Sequence, residues 1–286
     1  MSAMPARVCV VGSVNVDHTF AVDALPQPGQ TVLASALTSA PGGKGGNQAV
    51  AAARAGASVQ LVAAVGTDAA ADQLRTHLSA NDVGLAGLVT VPGPSGSAEI
   101  LVDAHAENCI VVAPGANAHL TLASGVLRTV IADADVVLLS LEIPIDTARA
   151  AARTAREAGA TVIVNASPAG PEVRRLAGLA DVVVVNETEA QAWDDGAVEH
   201  LIVTRGARGA AHHGEGGRFD VPAPAVEAVD TTGAGDVFAG ALAAAWPDGL
   251  HTALRRACAA GALATLVPGA GDCAPYAEAI DDAVKP

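Results

Sequence analysis

A glycine-rich segment, residues 229–236 (VDTTGAGD), carries residue types that suit phosphate chemistry. It precedes a helix-compatible stretch over residues 237–246 that stops at Pro247. A glycine-rich turn that opens a helix presents unpaired backbone N–H groups to an anion. Asp236, at the edge of this turn, has the chemistry of a base that deprotonates an attacking hydroxyl during phosphoryl transfer. The segment predicts an anion hole beside a catalytic carboxylate. The structural alternative is a turn whose aspartate only stabilises the helix N-terminus.

A second glycine-rich segment, residues 41–48 (PGGKGGNQ), precedes a predicted helix over residues 49–55 that ends at Gly56. Its glycines allow a ligand to approach the backbone closely. Asn47 offers a hydrogen-bond donor and an acceptor to hydroxyl groups, and Lys44 supplies a mobile positive charge. The segment suits a polyol ligand, and a purely structural turn is the alternative.

Polar side chains also follow two apolar runs. Asn15 and Asp17 come after the first run and share one face of an extended backbone. Glu142 follows the run over residues 136–141, at the carboxyl end of a predicted strand. Ligands of open α/β sheets bind at such strand ends. These residues are therefore candidates for hydrogen bonding to sugar hydroxyls. Taken one at a time, each could instead be a loop cap or a solvated carboxylate.

Two further loops suit a nucleotide. Residues 186–189 (NETE) follow an apolar run, and a carboxylate there could hold a hydrated Mg²⁺, which needs few protein ligands. Residues 204–209 (TRGARG) follow another apolar run and could wrap a nucleotide. An acidic helix N-terminus and an ordinary glycine-rich loop are the structural alternatives.

The elements that must position these residues alternate along the chain. Short β-branched runs end in turn residues and are separated by Ala-rich stretches of helical length. This alternation predicts an α/β fold in which helices cover both faces of a mostly parallel sheet. The predicted strands cover residues 8–11, 59–65, 136–139, 161–164, 182–185 and 201–203.

Two segments, residues 19–39 and 98–112, break this alternation. Neither has a helical period, and both are typical of hairpins that have left the main sheet. We therefore expect a single domain over residues 1–286, with a small β-sheet lid. The lid segments inserted in this domain are expected at about residues 14–40 and 95–113.

The charge and composition exclude some partners. The formal net charge is −14 and no run of Lys and Arg forms a basic stripe, so nucleic acid is not an expected partner. Aromatic residues make up only 2% of the chain, which argues against base stacking. ATP can still bind where backbone amides, a helix N-terminus and a metal ion offset the triphosphate charge.

Neither a membrane nor a disulfide framework is expected. Residues 1–7 lead into an apolar run of about six residues, too short for a signal-peptide core or a membrane span. We expect a cytoplasmic protein. The cysteines form no CxxC pair, which favours buried thiols over a zinc site. They are Cys9, Cys109, Cys258 and Cys273.

In this order, the segments together resemble the ribokinase branch of the PfkB family of carbohydrate kinases. The resemblance extends from Val8 to about Pro275, and its most specific pieces are residues 42–49 and 230–236. Residues 15–18 also fit this branch better than its fructokinase relatives. The resemblance implies a ribokinase-like doubly wound α/β fold whose β lid also forms a homodimer clasp. It further implies transfer of the γ-phosphate of ATP to the C5 hydroxyl of D-ribose.

The resemblance gives individual residues their roles. Asp236 matches the catalytic base, and the anion hole matches Gly233, Ala234 and Gly235. Glu189 matches the acidic end of a motif associated with Mg²⁺, which it would hold through water. The candidate sugar-binding residues are Asn15, Asp17, Gly43, Lys44, Asn47 and Glu142. The candidate ATP-binding residues are Asn186, Thr204, Gly206, Gly209 and Cys258. A monovalent cation, K⁺, is expected near Asp230, Thr232, Ala264, Val267, Gly269 and Cys273.

Three features depart from the family pattern. Only seven residues separate Trp193 from Leu201, where a longer insertion with a helix is expected beside the adenine. Glu99 stands in the lid where similar kinases have an apolar residue. On the outer face of the lid it would be harmless, whereas turned inward it would alter sugar choice. Cys273 replaces a small polar residue in the expected cation site.

Rival functions remain open. A kinase of the same fold could act on another pentose or a nucleoside, such as deoxyribose or adenosine. A sugar-binding regulator without catalysis is a further alternative, against which the intact Asp236, Gly233 and Gly235 argue. A dinucleotide oxidoreductase is excluded because no GxGxxG motif follows the first strand.

Overall fold

The computed structural model describes residues 4–105, 107–170, 172–193, 196, 198–214 and 216–285. The first residues of the N-terminal segment, Ala106 of the second lid segment, and part of the short segment after Trp193 lie outside these ranges. The described part of the chain contains strands and helices that alternate over most of its length.

The strands are β1 (Arg7–Val11), β2 (Asn15–Ala21), β3 (Ala36–Gly42), β4 (Ser58–Val65), β5 (Val83–Thr90), β6 (Gly96–Val102), β7 (Asn108–Ala113), β8 (Val136–Leu139), β9 (Thr161–Asn165), β10 (Val182–Asn186), β11 (His200–Thr204), β12 (Ala210–Gly214) and β13 (Phe219–Val221). The α-helices are α1 (Lys44–Arg54), α2 (Ala69–Ala80), α3 (Gly125–Ala132), α4 (Ile145–Glu157), α5 (Ala234–Ala245), α6 (Leu250–Ala264) and α7 (Ala277–Ala283).

The large sheet has nine strands in the order β13-β12-β11-β10-β9-β8-β1-β4-β5. Neighbours from β5 to β11 pair in parallel, and β12 and β13 add antiparallel edge strands. Alternate residues of β1 enter two separate cores, Val8 and Val10 on one face and Cys9 and Val11 on the other. Helices α1, α2, α5 and α6 cover the first face, and α3 and α4 cover the second. Because both faces are covered, central strands such as β8 and β10 are continuous apolar runs. The predicted fold class is confirmed.

The small sheet has four strands in the order β3-β2-β6-β7. Strands β2 and β3 form one antiparallel pair, β6 and β7 form another, and the parallel pairing of β2 with β6 joins them. The lid expected from the sequence is therefore present, although β3 continues to Gly42, past the expected boundary. Assignment of the whole chain to one domain stays a prediction.

Glu99 lies on β6 beside His18 of β2, whereas Asp17 pairs with Ala98. Because side chains alternate along a strand, Glu99 lies on the face of the lid opposite to Asp17. The structure therefore directs Glu99 away from Asp17.

Two helices begin earlier than the sequence indicates. Helix α1 was expected over residues 49–55 but starts at Lys44, so the glycine-rich segment forms its first turn. Glycine has low helix propensity, but packing overrides it here. A Cβ on Gly45 would lie 2.6 Å from the carbonyl carbon of Gly12, so only glycine lets this turn lie against the end of β1. Helix α5 likewise starts at Ala234.

Among the helices that the structure describes, none has both the length and the apolar character needed to cross a bilayer.

Candidate active site

The predicted anion hole lies at the N-terminus of α5. Gly233 caps this helix with a φ of 78°, in the left-handed region that favours glycine. A Cβ on Gly233 would also lie 2.8 Å from the Cα of Ala270, whereas Gly235 has open space beside it. The turn borders a cavity of about 200 Å³. Backbone N–H groups at a helix start attract anions, so this turn can receive a phosphate group.

Asp236 lies in the first turn of α5 with only 8% of its surface exposed. Its carboxylate accepts one hydrogen bond from Asn47 Nδ2 at 3.1 Å and another from Gln48 Nε2 at 2.9 Å. Burial raises the pKa of Asp236, although nearby Lys44 and the two amide donors oppose the rise. A carboxylate with a raised pKa is a stronger base than one in water, as deprotonation of a hydroxyl requires.

Lys44 borders the same cavity and lies among carboxylates. Burial would lower the pKa of its ammonium group, but Asp236, Glu142 and Glu189 outweigh burial and raise that pKa. Lys44 is therefore a permanent positive charge between the helix N-terminus and the acidic side chains. Such a charge can offset that of a phosphate group.

Asp17 lies on β2, beside the backbone of Gly42 on β3. Burial raises the pKa of Asp17 to about 6, with further contributions from Glu142 and Asp236. Its Oδ1 atom is buried without a hydrogen-bond partner among the described residues. A buried acceptor of this kind is unfavourable unless a ligand supplies a donor. Asp17 is thus placed to accept a hydrogen bond from a ligand hydroxyl.

Glu142 is fixed by two donors. Ser13 Oγ donates to Glu142 Oε2 at 2.5 Å, and the backbone N–H of Lys44 donates to the same oxygen at 3.3 Å. Ser13 is completely buried. The sequence analysis identified Glu142 and missed Ser13, because a serine at a strand end gives no signal of a distant partner.

Asn15 is held by Asn117, a residue that the sequence analysis also missed. Asn117 is 1% exposed, and its Nδ2 donates to Asn15 Oδ1 at 2.8 Å. It also exchanges hydrogen bonds with the backbone N–H and C=O of Val14. Because the Asn15 oxygen already accepts this hydrogen bond, the Asn15 NH₂ group is the candidate donor to a ligand. Gly43 lies against the same backbone, since a Cβ added to Gly43 would lie 2.7 Å from the backbone nitrogen of Asn15.

Asn186 and Glu189 border the cavity on the nucleotide side. The backbone N–H of Asn186 donates to Glu189 Oε2, and the backbone N–H of Glu189 donates to Asn186 Oδ1, both at 2.8 Å. This reciprocal pair fixes the Glu189 carboxylate at the edge of the cavity. A carboxylate there fits a hydrated Mg²⁺, which prefers oxygen ligands and keeps several of its waters.

The loop after β11 supplies the other nucleotide candidates. Thr204 borders the cavity, while Gly206 and Gly209 flank a 3₁₀ turn with φ values of 56° and 86°. A Cβ on Gly209 would lie 2.0 Å from the carbonyl oxygen of Val221, so glycine is required there. Cys258 does not join this group. It is 3% exposed on α6, and its thiol lies 3.6 Å from the Val221 oxygen. Its contact with ATP stays a prediction.

The predicted cation-site residues form one connected loop. Asp230 accepts hydrogen bonds from the backbone N–H groups of Thr232 at 2.9 Å and Gly269 at 2.8 Å. Although burial opposes the change, these bonds lower the pKa of Asp230. Val267 N–H donates to the carbonyl of Ala264, and the Cys273 thiol lies 3.9 Å from the carbonyl of Thr232. Carbonyl and carboxylate oxygens suit a hard cation, while the thiol adds no favourable ligand. No cluster of three His, Cys, Asp or Glu side chains suited to a metal occurs in the described ranges.

The structure therefore places the predicted anion-hole turn, the buried Asp236 carboxylate and the predicted polyol-binding groups around one ammonium group, that of Lys44. This arrangement is the one expected of a phosphotransferase that acts on a small hydroxylated molecule. Its position at the carboxyl ends of β1, β8, β10 and β11 is the usual ligand site of an open α/β sheet.

Comparisons with known proteins agree with this class. Residues 5–277 match the model of the pfkB family of carbohydrate kinases. A ribokinase of Haemophilus influenzae is 32% identical, over 95% of this chain and 96% of that protein. A Bacillus subtilis ribokinase is 34% identical over 92% of this chain and 94% of its own length. The solved structure of Arabidopsis thaliana ribokinase complexed with ribose and ATP has a TM-score of 0.89 at 28% identity, covering 99% of each chain. The chain belongs to the pfkB family of carbohydrate kinases.

Proposed function

We propose that this protein transfers the γ-phosphate of ATP to the C5 hydroxyl of D-ribose and yields ribose 5-phosphate. One observation carries the proposal: the buried Asp236 carboxylate lies between the anion-hole turn and the polar groups of the lid. The ribokinases among the relatives, and the ribose and ATP of the Arabidopsis complex, support these substrates.

In the proposed reaction, Asp236 takes the proton from the sugar hydroxyl while that oxygen attacks the γ-phosphate. The bond from the γ-phosphorus to the oxygen that bridges to the β-phosphate breaks, and ADP leaves. The N–H groups of Gly233, Ala234 and Gly235 receive the negative charge that develops on the phosphoryl oxygens. Lys44 adds a positive charge on the same side. The residues that would hold the sugar are Asn15, Asp17, Gly43, Lys44, Asn47 and Glu142.

On the nucleotide side, ATP would contact Asn186, Thr204, Gly206 and Gly209, with Cys258 as a more distant candidate. We propose Glu189 as the residue that holds hydrated Mg²⁺, an ion that offsets the charge of the phosphates. A K⁺ ion near Asp230 and Gly269 would stabilise the loop that precedes the anion hole. The Asp230 carboxylate accepts hydrogen bonds from Thr232 and Gly269 and so joins the two parts of that loop, which supports this assignment.

We further propose a homodimer formed through the lid. Its support is a set of exposed apolar side chains on β3 and β7, which a second copy of the lid would cover. They are Leu37, Ile110, Val111 and Val112. A cytoplasmic location is also proposed, because all four cysteines are free thiols, as is usual in reducing compartments.

Replacement of the base tests the mechanism. Asp236→Asn keeps the size of the side chain and removes its basicity, so kcat should fall by about 10²–10⁴-fold. Ribose affinity, measured by calorimetry, should change little because other groups hold the sugar. Asp248→Asn alters an exposed carboxylate just after α5 and should match the unmodified protein. Unchanged turnover of Asp236→Asn would contradict the assignment of the base.

A further inference from the structure

Gln48 is a buried residue that the proposed reaction does not yet use. It lies on α1, is 0% exposed, and its Nε2 donates to Asp236 Oδ1 at 2.9 Å. Its own Oε1 has no hydrogen-bond partner within the described part of the chain. A fully buried amide with an unpaired oxygen is unfavourable, and such a group calls for an explanation. We infer that Gln48 is a positioning residue, which fixes the orientation of the Asp236 carboxylate and holds it in its ionised state.

The packing of two helices explains how Gln48 reaches the base. Gly240 lies one helical turn after Asp236 on α5, so both face the same neighbour. A Cβ on Gly240 would lie 2.5 Å from the backbone oxygen of Gln48 and 2.7 Å from the Cβ of Ala51. Only glycine at this point lets α1 and α5 approach so closely. The crossing thus brings the Gln48 amide into hydrogen-bond distance of the carboxylate.

Gln48 and Asn47 have different tasks in this arrangement. Asn47 Nδ2 also donates to Asp236, but Asn47 is a proposed sugar ligand and its amide is shared with the substrate. Gln48 is completely buried, so its donor stays on Asp236 while the sugar binds and leaves. This role rests on the proposed function of Asp236 as the base.

A donor to an ionised carboxylate stabilises its charged form, so loss of the Gln48 donor raises the pKa of Asp236. The other charged or titratable groups that act on Asp236 are Lys44 on α1, Glu142 after β8, Asp17 on β2 and Cys273 before α7. Substitution of Gln48 leaves all of these in place. A higher pKa of Asp236 moves the acid limb of kcat/KM for ribose to higher pH, because the base must be deprotonated to act.

Two substitutions test the inference. Gln48→Met keeps the length of the side chain and removes the donor. Gln48→Glu keeps the shape and places a second carboxyl group beside Asp236, which opposes its ionisation. Gln60→Met is the matched control, since Gln60 on β4 also has a buried Oε1 without a partner among the described residues, outside the site. The readouts are kcat/KM for ribose between pH 5 and 9, kcat, and the fraction of molecules that bind ribose.

We expect both Gln48 variants to shift the acid limb upward by about one pH unit and to lower kcat about tenfold at neutral pH. Ribose binding should persist, and Gln60→Met should keep the original pH profile. An unmoved acid limb in either folded Gln48 variant would overturn the inference. Loss of folding in both variants, with Gln60→Met folded, would also overturn it, since Gln48 would then act only in packing. Full activity of Asp236→Asn would instead refute the assignment of Asp236 as the base. Failure of the proposed function and failure of the Gln48 inference are therefore distinguishable.

Discussion

The carboxylates of Glu142, Asp236 and Glu189 share one nearby ammonium group, that of Lys44, and Asp17 lies near Glu142 and Asp236 as well. The site therefore holds more negative than positive charge when it is free of ligand. Burial makes this excess costly, and it raises the pKa of both aspartates. Hydroxyl donors of a sugar would relieve the cost at Asp17, whose Oδ1 has no partner among the described residues.

Asp17→Asn should therefore make the protein more stable and weaken its use of ribose. The folded-state pKa of about 6 lies above the unfolded value, so the ionised carboxylate destabilises the fold above pH 6 and not below pH 4. At pH 8 the asparagine variant should be more stable by roughly 1–3 kcal/mol, and this gain should disappear as the pH falls from 6 to 4. Thermal unfolding at several pH values measures it.

The same variant should have a KM for ribose about tenfold higher or more, because an asparagine cannot replace a charged acceptor. Asp23→Asn is the control, an exposed aspartate in the same lid. An Asp17→Asn protein that is less stable than the unmodified protein at pH 8 would show that Asp17 is already satisfied without a ligand.

The sequence predicts Asp236, Asn47 and Asp17 as candidate site residues, because each lies in a short glycine-rich segment or follows a predicted strand, and the structure brings the three side chains close together. The sequence could not indicate Asn117 or Gln48. Asn117 contacts a residue 102 positions away, and Gln48 contacts one 188 positions away. Such partners become neighbours only when the sheet and helices assemble.

At the scale of elements, glycines decide where the helices of the site begin and how closely they pack. The sequence predicted the buried parallel strands well, because each is a continuous apolar run. It did not indicate β5, β12 or β13, which lie at the two ends of the large sheet. Strand β5 contains two glycines, β12 contains two histidines, and β13 has only three residues with an aspartate in the middle, so they lack the uniform apolar pattern of the central strands.

Gly240→Ala should disturb the crossing of α1 and α5. The added methyl group would overlap the backbone of Gln48, so the helices must separate at a cost of about 1–3 kcal/mol. We expect a melting temperature lower by several degrees and a lower kcat, since α1 carries Asn47 and α5 carries Asp236. Gly125→Ala, at the start of α3 with no atom within 4 Å of its new Cβ, is the control. Equal melting temperatures and activities for both variants would contradict the tight crossing.

At the scale of the whole molecule, two sets of elements meet at Asp236. The lid and α1 carry the proposed sugar-binding groups, and the ends of β10 and β11 carry the proposed nucleotide-binding groups. The sequence indicated both sets as separate motifs. It could not indicate how they meet, because that depends on the pairing of β2 with β6 and on the order of strands in the large sheet.

Phosphate transfer from ATP, in the presence of Mg²⁺, to a panel of acceptors tests the proposed ribose kinase activity. The panel contains D-ribose, 2-deoxyribose, fructose, adenosine and other nucleosides, each with and without K⁺, and product formation is followed as ADP release. We expect strong turnover on D-ribose, stimulated by K⁺, with ribose 5-phosphate as the product. Turnover on a nucleoside or deoxyribose in place of ribose would contradict the proposed substrate, and silence across the whole panel would contradict the proposed kinase.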